Sequence, residues 1–114
     1  MIAMQVAETI AEYAVFLELT DDEELNPDTA VKMMEALASH LQEMDKGFLR
    51  ELVNAFPIIA EAYSGEAQEV VRNISYSYYL EEALAVDDPV KMATLEALRD
   101  ARGCAAVAVT HETF

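Results

Sequence analysis

Residues 26–44 read NPDTAVKMMEALASHLQEM, and this stretch decides the fold class. Asn26 has a short side-chain carbonyl suited to capping free amides. Pro27 fits the first helical position, where its missing N–H would lack a partner anyway, and Asp28 sets a negative charge at the positive end of the helix dipole. A helix is therefore predicted to start at Pro27. Val31, Met34, Ala38 and Leu41 then follow at helical spacing through about Met44, with Met33 and Leu37 widening the apolar stripe.

The same periodicity extends in both directions. Upstream, Ile2, Val6, Ile10, Tyr13 and Leu17 form one apolar stripe of a helix predicted over 2–19, with Glu8 and Glu12 opposite. Val15 and Leu19 continue the Glu8 and Glu12 stripe, so the outer face turns from acidic to apolar along its length. Downstream of a short connection at Asp45-Lys46-Gly47, Leu49, Leu52, Phe56, Ile59 and Tyr63 predict a third helix. Pro57 should kink or restart it, because proline lacks the amide proton and its ring collides with the carbonyl of Val53. Ser64-Gly65 is the expected left-handed closure.

A fourth helix is predicted near 66–75, burying Val70, Val71 and Ile74. A break near Ser77 follows, with Ser77 capping a short fifth helix that carries Leu80 and Leu84. Asp88-Pro89 repeats the cap-then-proline signal for a sixth helix, expected to end before Gly103. Cys104 to Thr110 alternates weakly and is β-prone, which predicts an extended tail over 104–114. The fold class is thus all-α: a compact bundle of five or six helices with a kinked third helix and an extended C-terminal tail, in one domain spanning 1–114.

Charge carries the strongest hint about partners. The 114 residues hold 22 acidic against 7 basic side chains, a formal net charge of −15. Residues 1–31 contain eight acids and no Lys or Arg. Such a field repels nucleic acid and acidic membrane surfaces and speeds encounter with a basic protein. No stretch approaches the roughly 20 apolar residues of a membrane span. Acids at Glu8 and Glu12 interrupt the N-terminal segment before a signal-peptide core forms, so the chain reads as cytoplasmic.

Catalytic chemistry is poorly supplied. The chain has two histidines, a single cysteine and three glycines, with no glycine-rich phosphate loop. His40 precedes Glu43 by three residues, the reverse of the Glu-x-x-His order of di-metal carboxylate bundles. His111 matches no metal-ligand spacing. Cys104, flanked by Ala105, Ala106 and Val107, reads as a small buried hydrophobe. Asp21, Asp22, Glu23, Glu24 and Asp28 lack the loop glycine and terminal glutamate of a calcium loop. The expectation is therefore no enzyme, no metal and no cofactor.

Those same acids, with Glu8 and Glu12, can steer a cationic partner, and Val15 and Leu19 can anchor it. The predicted partner-binding surface is Glu8, Glu12, Val15, Leu19, Asp21, Asp22, Glu23, Glu24 and Asp28. Tyr76, Tyr78 and Tyr79, at a predicted break, suit either core packing with surface hydroxyls or a binding hot spot, and core packing is the preferred reading. Met33, Met34 and Met44 read as core filler beside the second helix's stripe.

The arrangement Phe16-Leu17-Glu18, Asp21-Asp22, Asn26-Pro27-Asp28, Ala30-Val31, Glu35 and Leu41, then Phe48 and Phe56 with Ile59-Ala60, resembles small acidic helical immunity proteins found beside bacterial polymorphic toxins. The resemblance covers roughly the first 60 residues, mostly helix-forming and capping positions. It implies a cytoplasmic protein that binds and blocks a toxin's catalytic domain, of nuclease or deaminase type, with no catalytic residues of its own. Two alternatives stand beside it: a nucleic-acid-mimicking phage or anti-restriction protein, which should spread acid along one long face, and a non-catalytic helical adaptor.

Overall fold

The computed structural model describes the backbone of residues 2–113 and the side chains of residues 2–102. It contains α1 (Ile2–Leu19), α2 (Pro27–Gln42), α3 (Lys46–Ala60), α4 (Gly65–Arg72), α5 (Ile74–Ser77), α6 (Leu80–Leu84) and α7 (Pro89–Thr113), and no strand among the described residues. The all-α class is borne out, with seven helices among the described residues where five or six were expected. The additional one arises because 66–77 divides into α4 and the single turn α5 at Asn73. By packing, the chain divides into two units, Met1–Leu84 and Ala85–Phe114.

Local chemistry accounts for the helix starts. Asn26 Oδ1 accepts from the amides of Asp28 at 2.8 Å and Thr29 at 3.3 Å, satisfying two donors that the first turn cannot pair internally. Asp45 does the same for α3, accepting from Phe48 N at 3.0 Å. The predicted connection at 45–47 is therefore a cap followed by helix. Pro57 stands inside α3 on its exposed side, and the helix continues past it to Ala60 without restarting.

α3 then closes by a run of tighter turns, Glu61 N to Ile58 O, Ala62 N to Ile59 O and Tyr63 N to Ala60 O, and not by a left-handed glycine. Gly65 does adopt φ +60, but it opens α4. The chain has to reverse there, and glycine takes that conformation without the clash a side chain would bring.

The first unit is built on α3. Leu49, Leu52 and Phe56 are essentially fully buried, joined by Leu41 of α2, Val71 of α4, Ile74 of α5 and Leu80 of α6. Polar ties fasten the surrounding turns. Arg50 reaches Glu81 through two parallel bonds, Nη1 to Oε2 at 3.0 Å and Nη2 to Oε1 at 2.9 Å, linking α3 to α6. Gln42 Nε2 donates to the Tyr78 carbonyl at 2.9 Å, and Gln68 Nε2 to the Ala60 carbonyl at 3.1 Å. Gln42 thereby satisfies a backbone carbonyl at a break, and Gln68 adds a second bond to the Ala60 carbonyl, which also accepts from Tyr63 N.

α1 corrects the predicted stripe. Its buried face consists of Ala7, Ala11 and Ala14, all at 0% exposure, with Ile10 and Leu17 beside them, whereas Ile2 and Tyr13 are 72% and 55% exposed. At 3.6 residues per turn, that face lies roughly 80° around the helix from the midline expected from the large residues. Alanines let the α1 backbone approach its neighbours closely, and such contact gains dispersion energy along the whole helix. Val15, predicted to point outward, is rotated by the same amount and packs partly against the core.

In the second unit, Asp88 caps α7, its Oδ1 accepting from Lys91 N at 3.1 Å with Pro89 in the first turn. Two further expectations meet a different outcome. Ser77 closes α5 instead of capping α6, and the chain breaks two residues later at Tyr79. The backbone of α7 runs on to Thr113 where the sequence predicts an end before Gly103 and an extended tail. A glycine inside a helix costs only about 1 kcal/mol relative to alanine, and the alanines that follow are strong helix formers. The Cys104 and His111 side chains lie outside the described residues. No described helix is long and apolar enough to cross a membrane.

Candidate protein-binding surface

The nine predicted interface residues divide by what the structure makes of them. Glu8 and Glu12 are exposed on α1 and flank a groove of about 370 Å³. Met4, Ile58, Ile59 and Tyr63 line it as well. The Tyr63 hydroxyl holds its proton more tightly than an ordinary phenol, through burial first and the charges of Glu12 and Glu8 second. Tyr63 thus lies within the field of both carboxylates.

Asp21 shapes the turn after α1, its Oδ1 accepting from Glu23 N and Glu24 N, both at 3.1 Å. Asp22, Glu23, Glu24 and Asp28 are exposed. Asp28 occupies the first turn of α2. Among the described residues, no three His, Cys, Asp or Glu side chains gather as a metal site.

Of the two apolar anchors predicted on α1, only Leu19 remains at the surface, 39% exposed. The rotation that withdraws Val15 brings out Tyr13 and Phe16, 55% and 53% exposed. Three large side chains within two turns of one helix, beside Glu12, make a contiguous mixed patch. Isolated apolar residues on a surface are ordinary, but adjacent aromatic ones bordered by charge have the composition of a binding surface.

A second groove, of about 280 Å³, was not foreseen. Val31, Met34 and Ala38 of α2 form one wall, Tyr78 and Tyr79 the other. Its surface is almost wholly apolar, and its two glutamates, Glu18 and Glu35, are exposed residues. Val31 is 48% exposed, so part of the predicted buried stripe of α2 lines an open cleft.

The tyrosine corner is held in an unusual conformation. Tyr79 has φ +57, the only positive φ outside glycine among the described residues, a left-handed state costing roughly 1–2 kcal/mol for a residue with a Cβ. Tyr78 is 4% exposed, and its buried hydroxyl makes no hydrogen bond of acceptable geometry. The hydroxyl nevertheless feels the Glu18 carboxylate. Burial first, and that charge second, hold the phenolic proton well above its ordinary range. Burial likewise raises the Glu18 carboxyl, with the Tyr78 hydroxyl partly opposing.

The sequence signal for this corner was the poor helix-former run Ser75 to Tyr79. What the sequence lacked was the fact that α2 and the end of α1 face it. Comparison with known proteins found no matching family model, no matching curated protein and no matching solved structure.

Proposed function

We propose that this protein is a non-catalytic, protein-binding inhibitor that captures a basic partner, in the manner of an immunity protein neutralising the catalytic domain of a nuclease- or deaminase-type toxin. The observation that carries the proposal is the outer face of α1, where Tyr13, Phe16 and Leu19 stand exposed beside Glu12 and just ahead of Asp22, Glu23 and Glu24. Aromatic anchors bring large contact area at low conformational cost. Carboxylates around them steer a cationic surface into register and speed its association. A net charge of −15 extends that steering over the whole molecule. A nucleic-acid mimic needs carboxylates in phosphate-like array without large apolar residues between them, and the α1 face interleaves the two.

The test is growth protection. Co-production with a toxic catalytic domain encoded beside this chain should restore growth. The purified pair should associate at a rate that falls steeply with salt, and Phe16→Ala should shorten the lifetime of the complex. Absence of protection, or a complex whose association ignores ionic strength, would overturn the proposal.

A further inference from the structure

We infer that the trough between α1 and α3, centred on Met4 and Ile58 and bounded by Glu8 and Glu12 at one end and Glu51 at the other, receives an amphipathic basic helix of the partner. The inference rests on the reading that the partner is a basic protein. Met4, Glu8 and Glu12 stand four residues apart on α1, and the same stripe runs on to Phe16, so the trough continues the α1 face already assigned to binding.

Shape sets the class of guest. The groove of about 370 Å³ beside Glu8 and Glu12 is lined by Met4 and Ile58. So is a second hollow of about 260 Å³, which reaches Ala3, Glu51, Asn54 and Ala55. The two adjoin over those shared residues and form one furrow. Glu51, Asn54, Ala55 and Ile58 recur at steps of three and four, so they make one stripe of α3 facing the stripe of α1. From Glu51 to Ala62 that stripe runs about 16 Å, or about three helical turns. A furrow between two packed helices accepts the side chains of a third helix laid along it.

Chemistry sets the pattern of that helix. Ile58 is 57% exposed on a helix whose other aliphatic residues are buried, and with Met4 it gives the furrow an apolar middle. The ends are anionic. Glu8, Glu12 and Glu51 are exposed, and none makes a salt bridge or hydrogen bond among the described residues. Glu8 and Glu12 repel each other across one turn, and a cation beside them relieves that repulsion. Their end of the furrow also lies at the C-terminus of α3, the negative end of its dipole, and the last turn of α3 holds no basic residue. Burial first, and the charges of Glu12 and Glu8 second, raise the Tyr63 hydroxyl, so both carboxylates act within the groove. A second copy of a chain carrying −15 would set carboxylate against carboxylate, and nucleic acid would set phosphate there. A helix with large apolar side chains in its central turn and Arg or Lys toward both ends meets all three parts of the furrow.

The experiment titrates the ¹⁵N-labelled full-length protein with an alanine-based peptide of about 18 residues, long enough to hold a helix in isolation. On one face it carries leucines in the central turn and arginines in the first and last turns. Versions with serine for leucine, or glutamine for arginine, serve as comparisons. Saturable shifts centred on Met4, Glu8, Glu51 and Ile58 are expected, with weaker binding by either comparison peptide. Ile58→Lys, a change at an exposed position, should keep the parent's melting behaviour and bind the peptide about tenfold or more weakly, the scale of an interface hot spot. The double variant Glu8→Gln, Glu12→Gln should also bind more weakly, with a flatter salt dependence. Shifts centred on Asp22 to Glu24 or on Tyr79, equal binding of the serine peptide, unchanged affinity in both variants, or no saturable response would each overturn the inference. A dimer of the parent protein that Ile58→Lys abolishes would overturn it too, by assigning the trough to a second copy. The two proposals fail separately. A toxin domain that binds the Ile58→Lys protein as tightly as the parent removes the trough and leaves the inhibitor reading. Peptide binding in the trough by a protein that protects against no toxin does the reverse.

Discussion

α1 and α3 carry apolar residues at similar spacing, yet only one of them buries the face its pattern marks. Leu49, Leu52, Phe56 and Ile59 of the stripe predicted for α3 are buried, and the fifth, Tyr63, lies past the helix end and is half-buried. In α1, Ile2 and Tyr13 are exposed while three alanines are wholly enclosed. The difference lies in where each helix concentrates its volume. α3 has most of its large residues on one side and Arg50, Glu51 and Asn54 on the other, so a single rotation buries all of them but Ile58, which is 57% exposed. α1 has large residues nearly all round, and its alanines, not its largest side chains, fit against the crowded interior. Residues left outside by that choice become available for contact with another molecule.

The comparison can be broken most severely at Phe56. Phe56→Ala should cost about 3–5 kcal/mol, the range for truncating a fully buried aromatic, read as a lower urea midpoint. A loss below about 1 kcal/mol would mean that α3 is not the centre of the core. The opposite operation tests α1. Ala11→Leu inserts volume where there is none to spare and should destabilise by about 1–3 kcal/mol, whereas an unchanged melting temperature would show that the alanine face is not closely packed.

A smaller effect isolates backbone from packing. A Cβ added at Gly65 meets no atom within 4 Å, but the residue sits at φ +60. Gly65→Ala should therefore cost about 1–2 kcal/mol through the left-handed conformation alone. Thermal unfolding is the check, and Gly65→Asn should recover part of the loss because asparagine tolerates that conformation. At the exposed end of the comparison, Phe16→Ala should stay within about 0.5 kcal/mol of the parent. A large loss would place Phe16 in the core and remove it from the binding surface.

The least effect is expected at Glu18, and its pH dependence carries a definite sign. Burial raises its carboxyl above the ordinary 4.5, so the folded protein takes up that proton more readily than the unfolded chain. The ionised group penalises folding at neutral pH. The penalty fades as pH falls through the raised value toward the ordinary one. Glu18→Gln should match or exceed the parent's stability at neutral pH, and the gap should close in acid. Urea midpoints across that range provide the check, with Glu43→Gln as the control for removing one negative charge. A gap that widens on acidification would contradict the assigned shift.

Part of the molecule was written in short-range chemistry and could be read directly. Asn26-Pro27-Asp28 and Asp88-Pro89 place two helix starts, because capping involves groups within three residues of one another. The one-sided pattern of α3 names its own core. The acids of 1–31 are exposed residues, with only the Glu18 carboxyl partly withdrawn from water beside Tyr78, because charge seeks water whatever the fold. The rotation of α1, the withdrawal of Val15 and the emergence of Tyr13 and Phe16 were settled by competition between neighbouring helices for the same interior volume. The Glu18, Glu35 and Tyr79 cleft joins positions as far as 61 residues apart, from 18 to 79. Only the packing of α2 against α1 and α6 brings them together, since no local propensity acts over that separation.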